Sequence, residues 1–305
     1  WESTAGTALV PKTSTGYGYL PVLLLASDPI NTENDPQGRI SPLYILGDTL
    51  NWRKAQHAFK AGGEVRFSSS NGFNSFDVMP RANFGAGGAP IVGISNSAIP
   101  GIGRNAGTAQ NLAIDLSGSL NNAVQAFNSS GPPNLAYLAG EGKQRTWRQR
   151  EVSTFFQDDF KLKPNLTLNL GVRYEYYGVP WEANGKAAAL VGGSAGVFGV
   201  SGKTWADLYQ PGHTNGSLTQ VQLVGKHSPN PETPLYDNDW NNLAPVAGLS
   251  WGIPWFGKDK TVLRSGYSIS YERSALRLID IVAGDEPGLN SETTFTTNQY
   301  LNLGG

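Results

Sequence analysis

From Leu166 to Gly178 the chain alternates without an error. Leu166, Leu168, Leu170, Val172, Tyr174 and Tyr176 fall on one side, and Thr167, Asn169, Gly171, Arg173 and Glu175 on the other. A period of two belongs to a β-strand, here with one apolar face and one polar, partly charged face. These thirteen residues extend about 40 Å, and a tilt near 45° brings that close to the roughly 30 Å of a bilayer's hydrocarbon. Upstream, Lys161-Leu162-Lys163-Pro164-Asn165 reads as a tight polar turn and Glu151 to Phe160 as an antiparallel partner. A hairpin is therefore expected over 146–178.

Two more hairpins follow the same rule. Over 41–67, Phe59, Ala61, Gly63, Val65 and Phe67 share one face of the return strand, and Lys60, Gly62, Glu64 and Arg66 the other. The leading strand, Leu43 to Trp52, is less regular, because Asp48 falls in phase with Tyr44, Leu46, Leu50 and Trp52. Its turn, Arg53-Lys54-Ala55-Gln56, is short and basic. Over 243–273, Leu243, Ala247, Leu249 and Trp251 align on one face. After Pro254–Asp259, Leu263, Tyr267, Ile269 and Tyr271 point outward while Arg264, Gly266, Ser268, Ser270 and Glu272 point inward.

The remaining stretches, 1–39, 68–144, 179–240 and 274–305, are long and rich in turn residues. Within 68–144 a large loop with a short helix or hairpin is expected. Leu112, Ile114, Leu116 and Leu120 alternate, while Leu112, Leu116, Leu120 and Val124 also fit a helix. Short turns at one end and long loops at the other are the pattern of outer-membrane barrels. A soluble β-sandwich tends to have short connections at both ends. The expected fold is all-β: an antiparallel up-and-down transmembrane β-barrel, incomplete, with about six long strands. Outer-membrane lipid is then its first partner.

Aromatic side chains support that frame. Tyr174, Tyr176, Tyr267 and Tyr271 sit at the far ends of strands, and Trp52, Phe160, Trp251 and Trp255 sit near the short turns. Two such girdles suit the two membrane interfaces. A charge facing lipid costs about 2–4 kcal/mol at the midplane. Lys60, Glu64, Arg66, Arg173, Glu175, Arg264 and Glu272 are therefore expected to face a lumen.

Composition excludes several alternatives. The 305 residues carry a net charge of −1 and 15% charged residues, against about 25% in average globular proteins. With 38 Gly, 8 Trp, 12 Tyr and 12 Phe, the chain suits many strands linked by turn-rich loops. A near-neutral balance gives no case for nucleic acid. The absence of cysteine removes disulfides and thiolate metal sites. No apolar run approaches the roughly 18 residues of a helical span, a test that barrel strands escape.

Chemistry is sparse. His57, His213 and His227 lack any ligand spacing, and His57 opens a strand beside a turn, where an interfacial role is expected. Asn31-Thr32-Glu33-Asn34-Asp35 lacks the spacing and closing Glu of a Ca²⁺ loop and reads as a solvated turn. Gly101-Ile102-Gly103-Arg104-Asn105-Ala106-Gly107 is one residue off the dinucleotide fingerprint. Asp158 and Asp159 lie beside Lys161 and Lys163, where a salt-bridge or hydrogen-bonding role outweighs acid–base work. No catalytic, cofactor or metal residue is expected, and no enzymatic activity.

The segment FFQDDFKLKPNLTLNLGVRYEYYG, 155–178, resembles the barrel of TonB-dependent receptors, specifically the Oar-like group of acidobacterial type. The segments 57–67, 242–251 and 260–267 are similar to other hairpins of that group, as are Ser70–Asn74 and Leu112–Gly118. The resemblance implies a large outer-membrane barrel of about 22 strands filled by an N-terminal plug. It also implies import of a bulky nutrient (glycan, peptide or chelate) powered through the TonB complex. On this reading the chain is a fragment, a wall segment whose plug, TonB-contacting part and remaining strands lie elsewhere. The alternative is a secreted or surface β-rich binding or adhesion module, which would bury the apolar strand faces in a core.

Overall fold

The structure, a computed structural model, describes residues 20–22, 37–78, 81–84, 93–117, 120–209, 216–257, 260–285 and 288–296. The Asn31–Asp35 cluster and His213 lie outside the described residues. The chain divides into two compact units. One comprises Ile40–Asn71 with Arg145–Gly284, the other Trp1–Arg39 with Gly72–Gln144 and Asp285–Gly305.

Six strands organise the first unit: β1 (Leu43–Lys54), β2 (His57–Asn74, its last three residues counted in the second unit), β3 (Lys143–Lys163, its first two residues likewise), β4 (Leu166–Tyr177), β5 (Leu243–Gly252) and β6 (Val262–Ser268). They pair in consecutive order, β1 to β6, in one sheet. The registers run antiparallel from Leu43↔Ser68 to Lys54↔His57, from Glu151↔Tyr177 to Lys163↔Leu166, from Leu243↔Tyr174 to Trp251↔Leu166, and from Val246↔Ser268 to Gly252↔Val262. Between hairpins, the Lys161 N–H donates to the Gln56 carbonyl at 2.8 Å. Gly63 lies against the Ser153 backbone, so β2 and β3 are antiparallel too. This is an up-and-down meander of the three expected hairpins, laid side by side.

The turns are tighter than their sequences suggested. β1 and β2 close on Ala55-Gln56 alone, with Lys54 paired to His57. β3 and β4 close on Pro164-Asn165 after a register shift between Phe160 and Lys163. The basic residues expected in the turns thus belong to the strand ends, because ladder pairing continues until two residues remain to reverse the chain. The third connection contains a short 3₁₀ turn, Pro254–Phe256.

Strand lengths also depart from expectation. β2 runs to Asn74 and β3 starts at Lys143, so both enter stretches read as loop. β6 ends at Ser268, short of Arg273. Its partner explains this: Pro245 has no N–H to give, and the ladder finishes with the Ile269 N–H on the Pro245 carbonyl at 3.2 Å. Tyr271 and Glu272, assigned to opposite faces of that strand by alternation, therefore lie beyond it.

The long connection after β4 is structured. A strand at Ala187–Leu190 pairs antiparallel with Val221–Val224. Trp147, Ala187, Ala189, Val224 and Ala283 form a buried cluster, with Leu235, Leu276 and Ile279 packed against it. The helix Leu276–Ala283 is held from both ends of this contact. The Trp147 indole donates to Asp280 at 2.8 Å, and Arg145 gives two bonds, 3.0 and 2.7 Å, to the Gly284 carbonyl. A cation at a helix C-terminus is favoured by the backbone dipole.

The second unit is assembled from stretches read as outer loop. Strands Leu20–Val22, Arg81–Phe84, Leu120–Ser129 and Asn290–Thr296 form one sheet in that order. The two readings of 111–127 are each right in part: Ala106–Ser117 is a helix, and Leu120–Ser129 a strand.

Candidate functional site

The registers sort the side chains of the first unit onto two faces. Lys60, Glu64 and Arg66 of β2 stand opposite Asn51, Gly47 and Ile45. Arg173 and Glu175 of β4 stand opposite Phe155 and Ser153, and Arg264 of β6 opposite Ser250. Because one-residue steps alternate faces, these six charges share one face with Glu151. Four of these charges pair with one another locally. Arg66 bonds Glu64, and Arg173 bonds Glu175 at 2.6 Å. Arg273, from beyond β6, reaches the buried carboxylate of Glu151 at 3.0 Å. Lys60 lies 5.7 Å from the centre of the Phe155 ring. Glu272 has no strand register that would place it with them.

At the long-loop end the loops cover this polar face. Along β3, Arg145, Trp147, Gln149 and Glu151 are buried, while Arg148 and Arg150 between them and Val152 after them are exposed. Glu182 is buried there too. Its carboxylate accepts the backbone N–H groups of Thr146, Asn184 and Lys186 at 2.7, 2.8 and 2.7 Å, a structural role that no sequence motif announced. In the same connection burial pushes the Tyr236 phenol above its ordinary range, with the nearby Tyr176 adding to the effect.

The opposite face is apolar and open. Tyr44, Leu46, Leu50, Trp52, Phe67, Val152, Phe156, Leu170, Val172, Leu243, Leu263 and Tyr267 all lie on it and are exposed, Leu50 by 69%. Monomeric soluble proteins rarely leave so broad an apolar surface uncovered. Asp48 sits within it, opposite Gly63, as the imperfect alternation of β1 implied.

Aromatic side chains gather at both ends of that face. Near the short turns Trp52 contacts Phe59 with ring centres 5.3 Å apart, and Trp251 meets Trp255 edge-on at 5.5 Å. His57 stacks on Phe160 at 4.2 Å and on Phe59 at 5.3 Å. Its Nδ1 lies 2.7 Å from Asp158 Oδ2, while Asp158 Oδ1 is buried without a hydrogen-bond partner. Sequence reading placed His57 and Asp158 separately; only the β2–β3 register joins residues 101 apart. At the other end Tyr176 stacks on Trp240 at 4.0 Å. The Tyr174 hydroxyl donates to the Trp240 carbonyl at 3.2 Å, and that of Tyr271 to the Leu243 carbonyl at 3.2 Å.

Among the described residues no three His, Asp or Glu side chains stand together as a metal site, and no helix is long and apolar enough to cross a membrane. Gly101–Gly107 leads through a 3₁₀ turn into the helix Ala106–Ser117, and among the described residues 93–102 before it there is no strand, so the strand–turn–helix of a dinucleotide fold is not seen among the described residues.

Consecutive antiparallel strands, an exposed apolar face ringed by aromatics and a charged face on the other side define the wall of a transmembrane β-barrel. The chain belongs to the outer membrane beta barrel domain family, whose model matches residues 3–304. Its location is therefore the outer membrane, with the apolar face in lipid. No curated protein and no solved structure matches it.

Proposed function

We propose that this chain is wall and loop structure of an energy-coupled importer, of the TonB-dependent, Oar-like kind, that takes up a bulky nutrient such as a glycan, peptide or chelate. One observation carries the reading. Two turns of two residues each close one end of the sheet, while the connections at the other end fold into a packed cluster over the polar face. Folded loops above a polar wall suit capture of a ligand before import, whereas a passive pore gains nothing from covering that face. In this reading Lys60, Glu64, Arg66, Arg173, Glu175 and Arg264 line the lumen, where the Arg66–Glu64 and Arg173–Glu175 pairs cancel and Lys60 and Arg264 leave positive charge facing a plug domain. The plug, the segment that meets the TonB complex and the remaining strands belong to the rest of the protein. No residue is assigned catalysis.

The test is genetic. Deleting the gene, and separately deleting TonB, is expected to abolish growth of the source bacterium on the same single carbon, nitrogen or iron source. A nutrient lost with the gene but still used without TonB would leave a passive barrel and defeat the importer reading.

A further inference from the structure

The second unit holds a cavity of about 210 Å³ lined by Asn74, Phe76, Ala126, Asn128, Asn290 and Glu292, with Ser291, Lys143 and Asp285 completing it. We propose that it is a recognition subsite for one ring of a neutral, hydroxyl-rich ligand, the terminal sugar of a longer glycan. This deepens the importer reading and rests on it for its biological role.

The hollow follows from register. Asn290 pairs with Asn128, and Glu292 with Ala126, so all four project from one face of the strand pair. Ala126 is too small to fill the space opposite Glu292, and the gap opens there. Part of the lining is committed to the fold. Lys143 bridges Asp285 at 2.8 Å, and Asn290 Nδ2 donates to Asp285 at 3.2 Å. Asn128 Nδ2 donates to the Glu141 carbonyl at 3.0 Å, and Asn74 Oδ1 accepts the Phe76 N–H at 2.7 Å. These bonds fix the three amides while using only one end of each. Asn74 Nδ2 is left as a donor, and Asn128 Oδ1 and Asn290 Oδ1 as acceptors, beside the Glu292 carboxylate.

The ligand class follows from that inventory. Two carboxylates against one ammonium, itself bridged to Asp285, disfavour phosphate or carboxylate groups. Phe76 and Ala126 alone supply apolar surface, too little for a lipid-like or aliphatic ligand, yet a ring face suits stacking by an aromatic side chain. Donors and acceptors held together match hydroxyl groups, which need both. The volume lies below the roughly 300–1,000 Å³ of ordinary small-molecule pockets. It admits one ring and leaves the rest of a long ligand outside.

The experiment uses the full-length protein in detergent micelles, titrated calorimetrically with maltohexaose, xylohexaose, chitohexaose and, as an amine control, hexalysine. At least one saccharide is expected to bind. Ala126→Leu, which fills the hollow and removes no polar group, should weaken it at least tenfold, as should the double variant Asn128→Ala/Asn290→Ala. Glu292→Gln should stay within threefold of the parent, since a neutral hydroxyl accepts the exchange. Melting curves identify any variant that fails to fold. If the double variant does so, Ala126→Leu decides. Absence of saccharide binding overturns the proposal, as does binding indifferent to Ala126→Leu. Hexalysine binding abolished by Glu292→Gln overturns it in favour of a cationic ligand. Saccharide binding needs no TonB, whereas uptake does, so failure of the subsite and failure of the importer reading are separately visible.

Discussion

Ala55 turns the first hairpin with φ at 54°, a region that costs an L-residue with a Cβ about 1–2 kcal/mol and glycine almost nothing. Ala55→Gly is therefore expected to stabilise the folded protein by about 1 kcal/mol, read from urea unfolding in lipid vesicles. Its neighbour His57 bears a different kind of constraint. Its bond to Asp158 gives a partner to a carboxylate half-buried on a largely apolar face, and His57→Ala would leave that group without it. The expected loss is about 1–3 kcal/mol. Replacing both members with apolar residues, His57→Phe with Asp158→Leu, should come out near neutral or stabilising. A double replacement as damaging as the single one would show that the pair does more than cancel its own desolvation. Neither residue announced this contact. Each was visible in the sequence as a polar group near a turn, but a bond between residues in different hairpins depends on how hairpins dock, which alternation within one strand does not encode.

The strands were the legible part, and the faces follow from them. Alternation in Leu166–Tyr176 set the apolar side of β4 correctly because a period of two leaves no freedom once the strand is granted. What alternation could not supply was the ends. β6 stops early at Pro245's missing N–H, and β2 and β3 continue through residues whose polarity looked like loop. The loop sheet in the second unit was invisible for a related reason. Three of its four strands span seven residues or fewer, and all four come from stretches far apart in sequence. Two substitutions test the faces. Val172→Arg, on the open apolar side, is expected to cost about 2–4 kcal/mol in a bilayer, whereas Asn169→Arg, on the polar side, should fall well below that. Equal penalties would contradict the assignment of lipid to one face only. Gly62 probes the packing between strands. A Cβ there would sit 2.7 Å from both the Asp48 carbonyl and the Phe155 ring, so Gly62→Ala forces a shift of backbone or ring. Overpacking of this kind costs about 1–3 kcal/mol, measurable in the same vesicle unfolding assay.

At the scale of the whole molecule, β6 forms one edge of the sheet, and β1 with the short strand Gln37–Ile40, both paired to β2, forms the other; among the described residues the two edges do not pair with each other. Unpaired backbone groups cannot face hydrocarbon, so further strands must lie against both edges in the membrane. The chain is accordingly expected to remain with outer-membrane fragments after alkaline washing and to leave them only with detergent. Release by the wash would mean that its apolar face is not in lipid.

The consecutive order of the strands has a consequence for how such a wall comes into being. Each hairpin closes locally and then meets its predecessor along a single seam, so construction can proceed as stepwise addition at a growing margin. The cost of spanning one margin to the next rises only logarithmically with the length of the intervening segment, about 0.6 kcal/mol for each doubling. Lengthening the long connections therefore taxes assembly very little, and they are free to elaborate while the part that meets the bilayer keeps its pattern.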